Sequence, residues 1–85
     1  MERALDRLRE HVKREGLKAS EVRDAIARTA LSIKGHFSME DLLTHLPSLH
    51  SSTVYRVLPV LVDSGLLQEA PSQGDGQRYE RAFER

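Results

Sequence analysis

His50-Ser51-Ser52-Thr53-Val54-Tyr55-Arg56-Val57-Leu58-Pro59-Val60-Leu61-Val62-Asp63-Ser64-Gly65 is the stretch around which the chain is organised. Val54, Leu58, Leu61 and Val62 recur at helical spacing and predict a buried stripe. Ser51 and Ser52 precede the apolar run and can cap its first backbone N–H groups. Gly65 stands where a left-handed C-terminal cap belongs. Ser51, Ser52, Thr53, Tyr55 and Arg56 are left off the core on the first two turns. Small hydroxyls, one tyrosine and one arginine at a helix N-terminus suit a DNA groove. The hydroxyls and N–H groups can hold phosphate, and the two long side chains can reach base edges. The plainer alternative is an ordinary amphipathic helix with a polar start. The rest of the chain has to decide between them.

Pro59 is the local misfit. Inside a helix it removes the N–H that would bond to the Tyr55 carbonyl, at a cost of about 3 kcal/mol in an exposed host. Either the helix kinks there or it ends early and restarts.

Upstream, three more helices are predicted. Glu2 to Glu15 places Leu5, Leu8 and Val12 on one stripe, and Gly16 ends it. Ser20 is the expected N-cap of a second helix whose stripe is Val22, Ala25, Ile26, Thr29 and Ala30, with Ile33 closing it. A third helix opens at Ser38, which with Asp41 resembles a capping box. Phe37 and Leu42 match a hydrophobic staple, and Pro47 stops the helix. Only Ser48-Leu49-His50 then separates it from the central helix, which is helix-turn-helix spacing.

Downstream, Leu66 to Ala70 reads as a short strand and Gln77 to Ala82 as its return. Between them, Asp75-Gly76 is the strongest hairpin signal in the chain. The expected fold is mainly α with a small β-hairpin, a winged helix-turn-helix, as a single domain over residues 1–85.

Composition bounds the function. Eighty-five residues allow one small domain with a modest core. There is no cysteine, which excludes a disulfide framework and a thiolate zinc site. No apolar run approaches membrane-spanning length and the charged N-terminus is no signal peptide, so the expected setting is cytoplasmic, without a membrane. Thirteen Lys and Arg balance thirteen Asp and Glu. Nine of the basic residues lie in residues 1–36 against six acids, so the excess sits in the first third. Modest affinity for DNA and a moderate salt dependence follow.

Four stretches together resemble the ferric uptake regulator (Fur) family of bacterial metal- and peroxide-responsive repressors. They are Gly16-Leu17-Lys18-Ala19-Ser20 with Arg23, then His36-Phe37-Ser38-Met39-Glu40-Asp41-Leu42, then Ser52-Thr53-Val54-Tyr55-Arg56-Val57-Leu58, and finally Leu61 to Leu67 followed by Gly76-Gln77-Arg78-Tyr79-Glu80. They span nearly the whole chain in the family's order. The resemblance implies a DNA-binding domain of a transcriptional repressor. Tyr55 and Arg56 would contact bases in the major groove, and Lys18 would reach an adjacent A·T-rich minor groove. Ser51, Ser52, Thr53 and Arg23 would hold phosphates, with Arg78 a further backbone contact on the wing. Two structural alternatives compete: Tyr55 partly buried in helix packing, and Arg23 paired with Glu21 or Asp24.

The family also senses metal between its DNA-binding and dimerisation domains. The matching residues are His36 and Glu80, whose nitrogen and oxygen donors suit Fe(II), Mn(II) or Zn(II). Two donors cannot close a site, so the expectation is a partial site and no cofactor held by this chain alone. The family's C-terminal metal-binding dimerisation domain is absent from these residues. A full-length protein would be a homodimer; this chain is expected to be a monomer. The expected partner is double-stranded DNA, an A·T-rich inverted repeat.

Besides the missing second domain, two departures from the family pattern stand out. Pro59 replaces a helix-compatible residue. His50 stands where a serine often caps the recognition helix, which shifts that task to Ser51 or to His50 itself. The alternative function is a winged-helix protein–protein module without specific DNA readout, which zero net charge favours. No nucleophile–base pair or phosphate-cradling glycine loop points to an enzyme.

Overall fold

The computed structural model describes residues 2–71, 74 and 76–82. Four helices and three strands follow in the order α1 (Glu2–Arg14), α2 (Glu21–Ser32), β1 (Phe37–Ser38), α3 (Met39–Thr44), α4 (Ser51–Asp63), β2 (Leu67–Ala70) and β3 (Arg78–Arg81). The α3–turn–α4 unit is the helix-turn-helix, and β2–β3 is the wing.

The ends of α1 and α4 and the starts of α2 and α3 carry the chemistry read from the sequence. Gly16 takes φ 72° after α1, and the Gly16 and Leu17 amides return to the Lys13 and Val12 carbonyls. Gly65 takes φ 90° after α4 and repeats this closure, with Gly65 and Leu66 bonded to Val62 and Leu61. Both are Schellman caps, which need the positive φ that glycine reaches without a Cβ clash. Ser20 accepts from the Arg23 amide at 3.0 Å and starts α2. At α3 the capping box is complete: the Asp41 amide donates to the Ser38 hydroxyl at 3.1 Å, and the Ser38 amide to the Asp41 carboxylate at 3.0 Å. Aspartate therefore serves where Glu or Gln is usual. The Ser38 backbone N–H is the main reason the Asp41 carboxyl is held below the usual carboxylate range, with the Ser38 hydroxyl, Arg78 and His45 adding to it.

The core joins Leu5, Leu8 and Val12 of α1 to Ile26 and Leu31 of α2, Phe37, Leu42, and Val54, Leu58 and Leu61 of α4. Leu66 and Leu67 close it from the wing. Phe37 and Leu42, the staple pair, are both fully buried.

Several expectations are corrected. The α2 stripe is Ile26, Ala27, Ala30 and Leu31, whereas Val22 and Ala25 are exposed. Alanines flank Ile26 on both sides, so spacing alone does not choose between them; packing on α1 and α4 selects Ala27. Val62 is only half-buried, at the edge of the α4 stripe. α3 ends at Thr44, before Pro47 is reached, where the Thr44 hydroxyl and the His45 ring bond back to the Glu40 and Asp41 carbonyls. α4 runs unbroken through Pro59. Pro59 and Tyr55 share the exposed face, so water can solvate the carbonyl that Pro59 leaves unbonded.

The sheet is three-stranded and antiparallel, ordered β1-β3-β2, not a bare hairpin. Phe37 and Ser38 pair with Tyr79 and Arg78 before the chain turns into α3, and the Phe37 and Tyr79 rings lie 6.2 Å apart. The wing turn signal falls partly on Asp75, outside the described residues. No helix of the described residues is long and apolar enough to cross a membrane.

Candidate nucleic-acid interface

Burial of Val54, Leu58 and Leu61 fixes the rotation of α4 about its axis. The opposite face is thereby presented outward. Ser51, Ser52 and Arg56 are exposed, Thr53 is half-buried, and Tyr55 is 69% exposed. Tyr55 is thus not packed into the core. These five expected contact residues occupy the first two turns of one helix, at its N-terminal end, where the Thr53 and Val54 amides already bond to the His50 carbonyl.

The cap of α4 is His50, not Ser51 or Ser52. The His50 Nδ1 accepts from the Ser52 amide at 3.2 Å and lies 2.9 Å from the Ser52 hydroxyl. Ser51 and Ser52 are already helical and exposed, and the Ser52 hydroxyl is engaged by the His50 ring.

Lys18 sits in the loop between α1 and α2 and is exposed. Arg23 joins neither Glu21 nor Asp24. Its Nη1 donates to the Lys18 carbonyl at 2.8 Å, bracing the loop. Asp24 instead faces Arg9 at 3.5 Å. Arg78 opens β3 and lies 3.5 Å from the Asp41 carboxylate, which ties the wing to the cap of α3.

Between α4 and the wing runs a cleft of about 330 Å³ lined by Tyr55, Leu58, Pro59, Val62, Asp63, Glu69, Gln77 and Tyr79. Partial burial raises the Tyr79 phenol above its ordinary pKa, and Glu69 and Tyr55 push in the same direction. This cleft was not legible in sequence, because it forms only when β2 and β3 pack beside α4.

Of the two expected metal donors, Glu80 lies in β3 and His36 just before β1, whose pairing with β3 covers Phe37↔Tyr79 and Ser38↔Arg78 and does not include His36. His36 is exposed, while the Glu80 carboxylate accepts from Gln68 Nε2 at 2.6 Å. No third His, Cys, Asp or Glu joins them among the described residues. A four- to six-coordinate ion is not held by two donors, one of them already hydrogen-bonded. The donor set of these residues does not by itself fit a bound metal.

The sequence profile of the ferric uptake regulator family matches residues 14–85. No curated protein matches in sequence. Among solved structures, the ferric uptake regulator Fur of Helicobacter pylori superposes with a TM-score of 0.83 at 29% identity, over 99% of this chain and 59% of that one. The peroxide sensor PerR of Streptococcus pyogenes gives 0.71 at 28% identity, over 85% and 52%. The ferric uptake regulator of Pseudomonas aeruginosa, solved with manganese, gives 0.72 at 28% identity, over 88% and 60%. The chain therefore spans between half and three-fifths of the length of these relatives. Profile, fold and element order agree over most of the sequence, and the chain belongs to the ferric uptake regulator family.

Proposed function

We propose that this chain is a sequence-specific DNA-binding domain of a metal- or peroxide-responsive transcriptional repressor working in the cytoplasm. The observation that carries the reading is the outward face of α4, where Tyr55 and Arg56 project beside a polar helix start while the opposite face is locked in the core. α4 enters the major groove. Arg56 bonds to base edges, and Tyr55 packs on a thymine methyl or bonds to a base. Ser51, Ser52, Thr53 and Arg78 hold phosphates and set the register. Lys18, on its braced loop, enters a narrowed A·T-rich minor groove, where negative potential favours a cation. Arg23 acts through that brace as well as through phosphate. One copy binds a half-site; two copies on an inverted repeat supply the useful affinity, since operator symmetry mirrors protein symmetry.

Regulation belongs to a longer homodimeric protein in which further donors complete the His36–Glu80 pair with Fe(II), Mn(II) or Zn(II). The chain on its own is a monomer that holds no metal tightly, and it has no catalytic role.

Fluorescence-anisotropy titration of an A·T-rich inverted-repeat duplex against a scrambled duplex of equal composition, at two salt concentrations, tests this reading. Tighter, salt-sensitive binding to the repeat is expected. Equal binding to both removes specific readout. It would favour the second reading, a protein-contact module, which is supported by zero net charge and by Asp63 and Glu69 in the cleft beside α4.

A further inference from the structure

Asp41 serves two elements at once. Its Oδ2 accepts from the Ser38 amide at 3.0 Å, which completes the capping box of α3, and the same oxygen faces Arg78 Nη1 at 3.5 Å. The carboxylate is thereby fixed at the start of the helix-turn-helix. Its ion-pair partner lies 37 residues further along the chain, on the wing. The strand register supports the meeting, because Ser38 in β1 is the partner of Arg78 in β3. Cap, register and ion pair converge on one residue of the wing.

The other charged groups around Arg78 are few or already engaged. Its cross-strand neighbours, Ser38 on β1 and Ala70 on β2, are uncharged. Glu80, two residues on and so on the same face of β3, accepts from Gln68 Nε2 at 2.6 Å. On α3, Glu40 precedes Asp41, and the His45 ring bonds back to the Asp41 carbonyl. Asp41 is the carboxylate that the guanidinium reaches. Arg78 also keeps donors in hand. Nη1 faces Asp41, while Nε and Nη2 bond to nothing among the described residues, and the side chain is 37% exposed. A guanidinium is a planar fork of N–H donors, so one edge can hold the carboxylate while another is offered to a phosphate.

We propose that Asp41 is a positioning residue for DNA: it holds Arg78 in one posture, so that the wing meets a phosphate where α4 has already seated in the groove. The inference rests on the DNA-binding reading given above. Pairing cancels most of the guanidinium charge at a distance, which restrains attraction to duplex of any sequence. It also ties the remaining donors to the start of α3, and so to the helix-turn-helix that carries α4. A released Arg78 pairs with whichever phosphate is near, and random sequences gain most from that freedom. Asp41 therefore gives up affinity in favour of discrimination.

The test uses the 85-residue chain, Asp41→Asn, Arg78→Ala and the double variant. Asparagine keeps a side-chain carbonyl for the Ser38 amide. Asp41→Gln is a second neutral variant, since Gln is usual at this position of a capping box. Melts followed by circular dichroism establish that each variant is folded at the assay temperature. Anisotropy titrations then compare the inverted-repeat and scrambled duplexes over a range of salt concentrations. The neutral variants are expected to bind the scrambled duplex about threefold more tightly, the scale of an exposed ion pair. Their slope of log affinity against log salt should steepen by up to about 0.9, the value of one more neutralised phosphate. The repeat-to-scrambled ratio should fall by about the same threefold. In the Arg78→Ala background, neutralising Asp41 should change neither slope nor ratio. A helix cap alone would not make the salt slope depend on Arg78. The same gain with and without Arg78 overturns the proposal, since the lost acid would then act as bulk charge. Unchanged binding in both neutral variants overturns it too. A wild type that binds both duplexes equally removes specific readout, and the Arg78 dependence of scrambled-duplex binding still decides whether Asp41 restrains the arginine. Binding to neither duplex overturns both readings.

Discussion

The Arg23 guanidinium donates to the main-chain carbonyl of Lys18 at 2.8 Å, across the loop that joins α1 to α2. This bond makes the posture of Lys18 depend on a residue in the first turn of α2. Arg23→Ala should therefore weaken the preference for A·T-rich flanks in the same direction as Lys18→Ala, by about threefold, the scale of a partly exposed hydrogen bond. Binding to duplexes with A·T-rich and G·C-rich flanks measures it. Loss on both in equal proportion would make Arg23 a phosphate contact alone.

Tyr55→Ala and Arg56→Ala should each cost about tenfold in discrimination, the scale of one good base contact. Both side chains are exposed, so the folding free energy should move by less than about 0.5 kcal/mol. Competition binding against scrambled duplex, together with thermal melts, separates the two effects.

Phe37 closes the staple of α3, pairs in β1 and meets the Tyr79 ring, and it is 1% exposed. Phe37→Ala should destabilise by about 3–5 kcal/mol, the range for a buried aromatic. In a domain this small that approaches its whole stability. Urea unfolding should show a population already unfolded in buffer.

Pro59 leaves the Tyr55 carbonyl without a helical donor. Pro59→Ala restores that bond and should raise stability by about 1 kcal/mol or more, toward the full helix-interior difference. An unchanged melting temperature would mean that water already satisfies the carbonyl as well as the amide would.

Asp41 carries the acid response of α3. Its folded carboxyl titrates below its usual range, chiefly through the Ser38 amide, so the unfolded chain takes up the proton first. Its contribution is complete above the unfolded value, near pH 4. It fades as pH falls from there through the lowered folded value. Asp41→Asn should be less stable than wild type at neutral pH and should lose less on acidification to about pH 3. Thermal melts across that range read the difference.

Much of the fold was legible because its signals are local. Ser20 and the Ser38–Asp41 box act within four residues, and Gly16 and Gly65 terminate helices through their own φ angles. The α4 stripe of Val54, Leu58 and Leu61 repeats with the helix. α2 was read one position off, because Ala25 and Ala27 are alike and only their surroundings differ. β1 was missed because Phe37 and Ser38 already had a sufficient explanation as staple and cap.

By itself, the sequence determined the order of the helices, the caps of α2 and α3 at Ser20 and Ser38, the glycine ends of α1 and α4, and which two turns of α4 carry exposed polar side chains. These depend on neighbours within one or two turns along the chain. Tertiary structure alone decided which flank of Ile26 is buried and that β1 joins the wing by pairing Phe37 with Tyr79. It also decided that a cleft opens between α4 and the wing. Each joins residues from elements whose relative placement depends on how whole faces fit together, and residue spacing carries no information about that fit. His50 lies between the two cases. Its position before α4 was visible in sequence, but serine hydroxyls beside it offered the same service, and only the bond from the Ser52 amide to Nδ1 shows which group caps the helix.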